Sequence, residues 1–112
     1  MLDARSSLFG SRNRTAILIA IRLLEETYVS ELAALLGLRL YTVQTVVAAL
    51  ERDAVLVGRT FGRTRRIALN GRYVAHAELG SLLWKLGQHD IDLQKMLATR
   101  RRRPRRPGKP GL

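Results

Sequence analysis

The stretch Val29-Ser30-Glu31-Leu32-Ala33-Ala34-Leu35-Leu36-Gly37-Leu38-Arg39-Leu40-Tyr41-Thr42-Val43-Gln44-Thr45-Val46-Val47-Ala48-Ala49-Leu50-Glu51-Arg52-Asp53 decides the fold. Ser30 can cap a helix over residues 31–36, because its hydroxyl can accept a hydrogen bond from a free N–H of the first turn. Glu31 in that turn suits the positive end of the helix dipole. Gly37 stops the helix, since glycine adopts the left-handed conformation just past a helix end without a Cβ penalty. Only Leu38 and Arg39 separate this segment from the next apolar periodicity, which predicts a helix over residues 40–53. Two helices joined by a short glycine-containing turn make a helix-turn-helix pattern.

The second of these helices has two unlike sides. At 100° per residue, Val43, Val47, Leu50 and Ala54 fall together with Val46 beside them, a candidate core face. The opposite side carries Tyr41, Thr45, Ala48 and Arg52, flanked by Gln44. A solvated helix face ordinarily carries Glu and Lys, whereas this one is polar, uncharged over three turns and small in its middle. Such a face can approach base edges: Gln can bond adenine through two hydrogen bonds, Thr can bond a base edge or touch a thymine methyl, and Ala48 leaves room. Taken alone, the helix is better explained as an ordinary surface helix, and the flanking segments shift that balance.

Upstream, residues 13–26 predict a first helix, with Ser11 or Asn13 able to cap it. From Ala16 to Leu24 it is apolar on nearly all sides, so it is either buried centrally or shared with a second subunit. Thr27-Tyr28-Val29 is short and β-prone. Downstream, two β-prone runs, residues 55–60 and 64–69, flank Phe61-Gly62-Arg63, and three residues with a central glycine fit a hairpin loop. Facing Thr60 with Thr64 pairs Val57 with Ile67 and Val55 with Leu69, which puts four apolar side chains on one sheet face. The same register sets Arg59 opposite Arg65. Like charges directly opposite destabilise a hairpin by up to roughly 1 kcal/mol. With no acidic residue evident beside them, phosphate is the natural partner for Arg59, Arg63, Arg65 and Arg66; a solvated basic turn is the plainer alternative.

The chain has 112 residues, the length of one domain, with 20 Lys and Arg against 9 Asp and Glu for a net charge of +11. That charge is uneven. Residues 100–112 contribute +7 through Arg100, Arg101, Arg102, Arg103, Arg105, Arg106 and Lys109, leaving +4 on the rest. A hydrophobic content of 46% argues against a disordered body, and the absence of cysteine excludes a disulfide scaffold, a thiolate metal site and a cysteine nucleophile. The longest apolar run, Ala16 to Ile21, falls far below the roughly 18 residues of a spanning helix. Residues 1–10 contain Asp3 and Arg5 and no apolar core of a signal peptide, so the expected compartment is the cytoplasm. A basic balance of this size points to a polyanion.

Asn70 can cap a fourth helix over residues 72–88. Its apolar residues occupy two adjoining faces, Leu79, Leu82, Leu83 and Leu86 on one and Tyr73, Ala77, Gly80 and Trp84 on the other. One core needs a stripe only somewhat above 100° wide. A second copy of the chain is the economical partner for the excess, which makes Leu79, Leu82, Leu83, Leu86 and Trp84 the candidate dimer interface; the alternative is packing on the hairpin and the first helix. Asp90 can cap a last helix over residues 91–100, with Leu93, Met96 and Leu97 as its apolar side. Residues 100–112 combine seven positive charges with three prolines and two glycines, so a disordered tail is expected. It reads as a sequence-blind arm on DNA phosphates or, more plainly, as a solubilising tail. The organisation expected is a DNA-binding unit over residues 1–71, dimerisation helices over 72–99 and the tail over 100–112.

Helix, short strand, second helix, glycine turn, third helix and basic hairpin together resemble the winged helix-turn-helix. The chain is similar to bacterial and archaeal regulators of the ArsR and MarR type. The likeness rests on the segment from Val29 to Leu38, on Thr42-Val43, and on Ala49-Leu50-Glu51-Arg52-Asp53-Ala54-Val55-Leu56-Val57. Leu8-Phe9-Gly10-Ser11 and Arg65-Arg66-Ile67-Ala68-Leu69-Asn70 also fit, and the likeness covers roughly residues 8–73. It implies an α+β, mostly helical fold with a three-helix core, a small antiparallel hairpin wing and a C-terminal dimerisation helix. It further implies Arg39, Tyr41, Thr42, Gln44, Thr45 and Ala48 at bases or phosphates and Arg59, Arg63, Arg65 and Arg66 at the wing. Two departures stand out: Arg39-Leu40 replaces the Ser or Thr cap that relatives often place before the reading helix, and Val46 and Ala48 stand where relatives often carry a basic residue.

The resulting expectation is a homodimeric, sequence-specific double-stranded-DNA-binding regulator, a repressor by occlusion, with no cofactor and no metal. The alternatives are a sequence-nonspecific nucleic-acid architectural protein, or a winged-helix protein-interaction module or antitoxin. His76 and His89 are the only histidines and lie 13 residues apart, with no supporting cysteine. No nucleophile–base pairing and no phosphate-cradling glycine loop is visible, so the chain is not expected to be an enzyme.

Overall fold

The computed structural model describes residues 7–102. Its elements are α1 (Arg12–Leu24), α2 (Val29–Leu36), α3 (Leu40–Arg52), β1 (Leu56–Phe61), β2 (Thr64–Leu69), α4 (His76–Gln88) and α5 (Ile91–Arg102). This is an α+β arrangement, mostly helical, with one two-stranded antiparallel hairpin. No helix among the described residues is long and apolar enough to cross a membrane.

α1 is the centre of the fold. Ser11 caps it by accepting from the Arg14 N–H, and Thr15 through Ile21 are all buried. A helix apolar on every side needs cover on every side, and α2, α3, α4 and β2 all pack against it. α4 comes close because its inner face is lined with glycine. A Cβ on Gly87 would lie 2.8 Å from Leu23 Cδ1 and 3.1 Å from Ile19 Cγ2. α5 closes the remaining side, with Leu93 and Leu97 in the same core as Leu83, Leu32 and Ile17.

α2 starts earlier than expected, because Thr27 is already fixed. Its N–H donates to Ile67 O and its carbonyl accepts from the Ile67 N–H, a one-residue bridge on the free edge of β2. Tyr28 is thereby held extended as the N-cap and the helix begins at Val29, with no side-chain cap bond. Ser30 lies inside the first turn and is not the cap. Gly37 ends α2 at φ 67°.

α3 ends at Arg52, one residue before the expected limit. The Val55 N–H donates to Leu50 O and the Ala54 N–H to Glu51 O, a Schellman closure. Ala54 takes the left-handed position at φ 64° and is exposed, so it leaves the helix and does not join the core face of Val43, Val47 and Leu50.

The hairpin differs from expectation by one residue. Phe61 pairs with Thr64, Thr60 with Arg65, Arg59 with Arg66, Gly58 with Ile67, Val57 with Ala68 and Leu56 with Leu69. The loop is the two-residue Gly62-Arg63, with Gly62 at φ 63°, the glycine-first arrangement of a II′ turn whose twist matches the strands. A one-residue slip turns every β1 side chain to the other face. Leu56 and Ile67 are therefore the buried pair of the hairpin, and Val57 faces outward. Arg59 stands opposite Arg66 instead of Arg65.

α4 is shorter than the expected 72–88. Asn70 Oδ1 accepts from the Arg72 N–H while Asn70 Nδ2 donates to Ala54 O, so the side chain holds a turn against the end of α3. Successive turns follow, and the helix begins only at His76. Asp90 does cap α5, accepting from the Leu93 N–H at 3.1 Å. That helix runs through Arg100, Arg101 and Arg102, so the first part of the expected disordered tail is helical. Arg103, Arg105, Arg106 and Lys109 lie outside the described residues.

Leu83 is fully buried inside the protomer, while Leu79 and Leu86 are half-buried against the core. Leu83 is thus a core residue and not a surface for a second chain. Leu83→Ala is expected to destabilise the fold by about 2–5 kcal/mol in urea unfolding, and Leu82→Ala, at an exposed position, by less than about 1 kcal/mol.

Candidate nucleic-acid interface

α3 presents the face expected from its periodicity. Tyr41, Gln44, Thr45, Ala48 and Arg52 are exposed and Thr42 is half-buried, with Val43, Val47 and Leu50 turned inward. Arg39 is the N-cap residue, exposed and with no side-chain cap bond. Tyr41 is 75% exposed. The Thr45 hydroxyl donates to Tyr41 O one turn back at 2.9 Å, so the hydroxyl proton is committed while the side chain as a whole is exposed. The only charged side chain on this outer face within α3 is Arg52, in the last turn.

The four hairpin arginines separate into two classes. Arg65 lies on the inner face of the hairpin, and its guanidinium meets Glu51 of α3 through both forks: Nη1 to Oε1 at 3.0 Å and Nη2 to Oε2 at 2.7 Å. That pairing pushes the Arg65 pKa up from its ordinary value, first through the hydrogen bond and then through the charge of Glu51. Gly58 makes the pairing possible. A Cβ there would sit 2.5 Å from Arg65 Cζ and from Glu51 Oε2. Arg66, on the outer face, reaches Glu26 at 3.2 Å and lies over the Phe61 ring at 5.5 Å. Acidic partners therefore exist for two of the arginines expected to need phosphate. They come from the far end of α3 and from the α1–α2 link. Arg59 and Arg63 are exposed and make no ion pair among the described residues.

Between α3 and the hairpin tip lies an open groove of about 540 Å³, lined by Tyr28, Ser30, Leu40, Gln44, Arg63 and Arg65 among others. The start of α2 contributes Tyr28, Val29 and Ser30 to this lining, so the groove joins α2, the α3 face and the basic hairpin. Tyr28 and Ser30 were not expected at this surface from the sequence. The signal for the Glu51–Arg65 latch was the isolated Gly58 in a strand, which marks a close approach.

Of the arginines assigned to the tail, Arg100 is tied down. Its Nη2 lies 2.9 Å from Glu31 Oε2, and Glu31 Oε1 accepts from the Thr27 hydroxyl. Of the expected dimer surface, Leu82 and Trp84 are exposed, with Arg22 stacked 5.0 Å over the Trp84 ring and Arg22 Nε donating to Gly80 O. His76 opens α4 and His89 closes it. No group of three or more His, Asp or Glu among the described residues could hold a metal ion. No family model, curated protein or solved structure matches the chain.

The latch has a measurable signature. A double-mutant cycle of Glu51→Gln with Arg65→Gln, followed by urea unfolding, is expected to show a coupling of about 0.5–1 kcal/mol, the scale of a partly exposed forked pair. In a Gly58→Ala background the added methyl displaces the guanidinium, and the coupling should fall to near zero.

Proposed function

We propose that the chain is a winged helix-turn-helix regulator that reads double-stranded DNA, with α3 in the major groove and the hairpin as the wing on the backbone. The observation that carries this reading is the exposed α3 face of Tyr41, Gln44, Thr45 and Ala48, which is uncharged and small in its middle, set beside a hairpin whose Arg59 and Arg63 have no protein counter-ion among the described residues. Polar side chains of this size suit base edges, and free guanidinium groups suit phosphates. Arg65 and Arg66 serve the reading differently from expectation. They hold the wing to α3 and to the α1–α2 link, so that helix and wing present one rigid surface. A purely charge-driven architectural protein would gain from freeing both of them, and their ion pairing favours the sequence-reading alternative.

Repression by occlusion and a homodimer complete the proposal. Two-fold symmetry would bring two reading helices to half-sites about 34 Å apart. Leu82 and Trp84, exposed on α4, are the surfaces available to a second copy. Replacing Leu82 and Trp84 together by Glu is then expected to turn a dimer into a monomer in sedimentation equilibrium, with Leu83 and the core left intact. A monomeric parent chain would remove the dimer from the proposal.

The functional test is a gel-shift titration with the DNA upstream of the chain's own gene against a scrambled duplex over a salt series. Preference for the native duplex should persist as salt rises. Gln44→Ala with Thr45→Ala is expected to erase that preference, at about 1–3 kcal/mol for each base no longer bonded. Arg63→Ala should weaken both duplexes alike and lower the magnitude of the log–log salt slope by about 0.9. Equal affinity for the two duplexes at every salt concentration would overturn the sequence-specific reading.

A further inference from the structure

The last turn of α1, the end of β2 and the start of α4 border an open pocket of about 460 Å³. Ile21, Ala68, Leu69 and Ala77 give it an apolar wall, and Arg22 and Glu25 put opposite charges into the same lining. A cavity of a few hundred Å³ with apolar walls and a few polar groups is the usual form of a small-ligand site. The two charges do not cancel each other. Residues three apart on a continuing helix are neighbours and pair readily, yet among the described residues no ion pair joins Arg22 to Glu25 or either of them to a third group.

Two local features keep them apart. Arg22 is drawn toward α4, where Nε donates to Gly80 O at 3.0 Å and the guanidinium stacks 5.0 Å from the Trp84 ring centre. The group is thereby held in place while its two terminal nitrogens have no partner among the described residues. Glu25 has left the helix. Its φ is 70° and its ψ is −50°, and the Glu26 N–H donates to Leu24 O at 2.8 Å, a γ-turn of the rare, strained hand. Glycine would adopt this backbone without the Cβ penalty, as it does past α2 at Gly37 and in the hairpin turn at Gly62. At residue 25 the chain carries a glutamate instead, with its side chain exposed. Strain of this kind is characteristic of positions whose side chain is in use.

The paired walls decide the ligand. A simple anion is attracted by Arg22 and repelled by Glu25, and a simple cation meets the reverse. A small molecule bearing both charges on an apolar body satisfies the whole lining. We propose that this pocket binds a free α-amino acid with an apolar side chain, its carboxylate on the Arg22 guanidinium, its ammonium on Glu25 and its side chain against Ile21, Leu69 and Ala77. His76 and Ser81, on the α4 wall, supply a ring nitrogen and a hydroxyl for the remaining carboxylate lone pairs. The occupant touches both the hairpin and the helix that carries the exposed Leu82 and Trp84. Binding here needs no DNA, so it stands or falls apart from duplex recognition.

The test is a titration of the isotope-labelled full chain, followed through its amide shifts. L-leucine and L-phenylalanine are the probes. Isocaproate, which is leucine without the ammonium, and isopentylamine, which is leucine without the carboxylate, are the controls. The amino acids should shift the amides of Leu69, Ala77, Gly80 and Ser81 saturably and leave those of Gln44 and Thr45 in place. Each control should bind about tenfold or more weakly, the scale of one lost bond between charged groups. Glu25→Gln should weaken leucine by a similar factor while isocaproate binds as well as before or better. Glu25→Gly should raise the urea midpoint by relieving the turn and erase the preference for leucine over isocaproate, which separates loss of the site from loss of the fold. No saturable shift at these amides with either amino acid up to its solubility, equal affinity for leucine and isocaproate in the parent chain, or leucine binding unchanged in Glu25→Gln would each overturn the proposal.

Discussion

The burial of α1 is the constraint on which the other elements depend. Seven consecutive residues, Thr15 to Ile21, are buried, and at about 25 cal/mol per Å² of apolar surface no solvent-facing arrangement of this helix competes with a covered one. The cover comes from α2, α3, β2 and α4 on separate sides, with α5 completing the shared core. α3 is held by its inward valines and leucine, which leaves its other side outward. The composition of that outer side can thus vary without threatening the fold, and this freedom is what a reading surface needs.

A second layer of polar contacts turns a covered helix into a defined surface. Glu26, Glu31 and Glu51 each pair with an arginine distant in sequence. Individually such partly exposed pairs contribute about 1 kcal/mol or less. Their importance is geometric: Glu51 fixes the hairpin to α3, Glu26 fixes β2 to the α1–α2 link, and Glu31 fixes the end of α5 to the start of α2. The Thr27–Ile67 bridge joins two of these, since Thr27 also bonds Glu31. Hairpin, α2 and α5 are thereby connected through a short chain of polar groups centred on the α1–α2 link.

Local signals were legible and nonlocal ones were not. Gly37 and the Asp90 cap act within a turn of themselves, and both fall where the sequence puts them. The outward face of α3 follows from the spacing of Val43, Val47 and Leu50 alone. The hairpin register does not, because Val55 and Val57 alternate as well as Leu56 and Gly58 do. The choice between them is made by a two-residue glycine-first turn and by Glu51 waiting on α3. Ser30 and Asn70 look like caps in one dimension. In three, Thr27 has already fixed the start of α2, and the Asn70 amide is occupied by Ala54 O. For the candidate site, the α3 face was readable, but the division of the hairpin arginines into two that are ion-paired and two without an ion pair among the described residues was not. Their partners lie on segments that only folding brings together.

The stacking of Arg22 on Trp84 has an optical consequence. Trp84 is the sole tryptophan, and it sits where α4 meets α1 with a guanidinium 5.0 Å from its ring. A nearby cation and a half-exposed indole set the emission wavelength together, and both conditions end when the two helices part. The protein therefore carries an intrinsic fluorophore on the exposed rim of the α1–α4 contact, one whose spectrum follows the docking of α4 without any added dye.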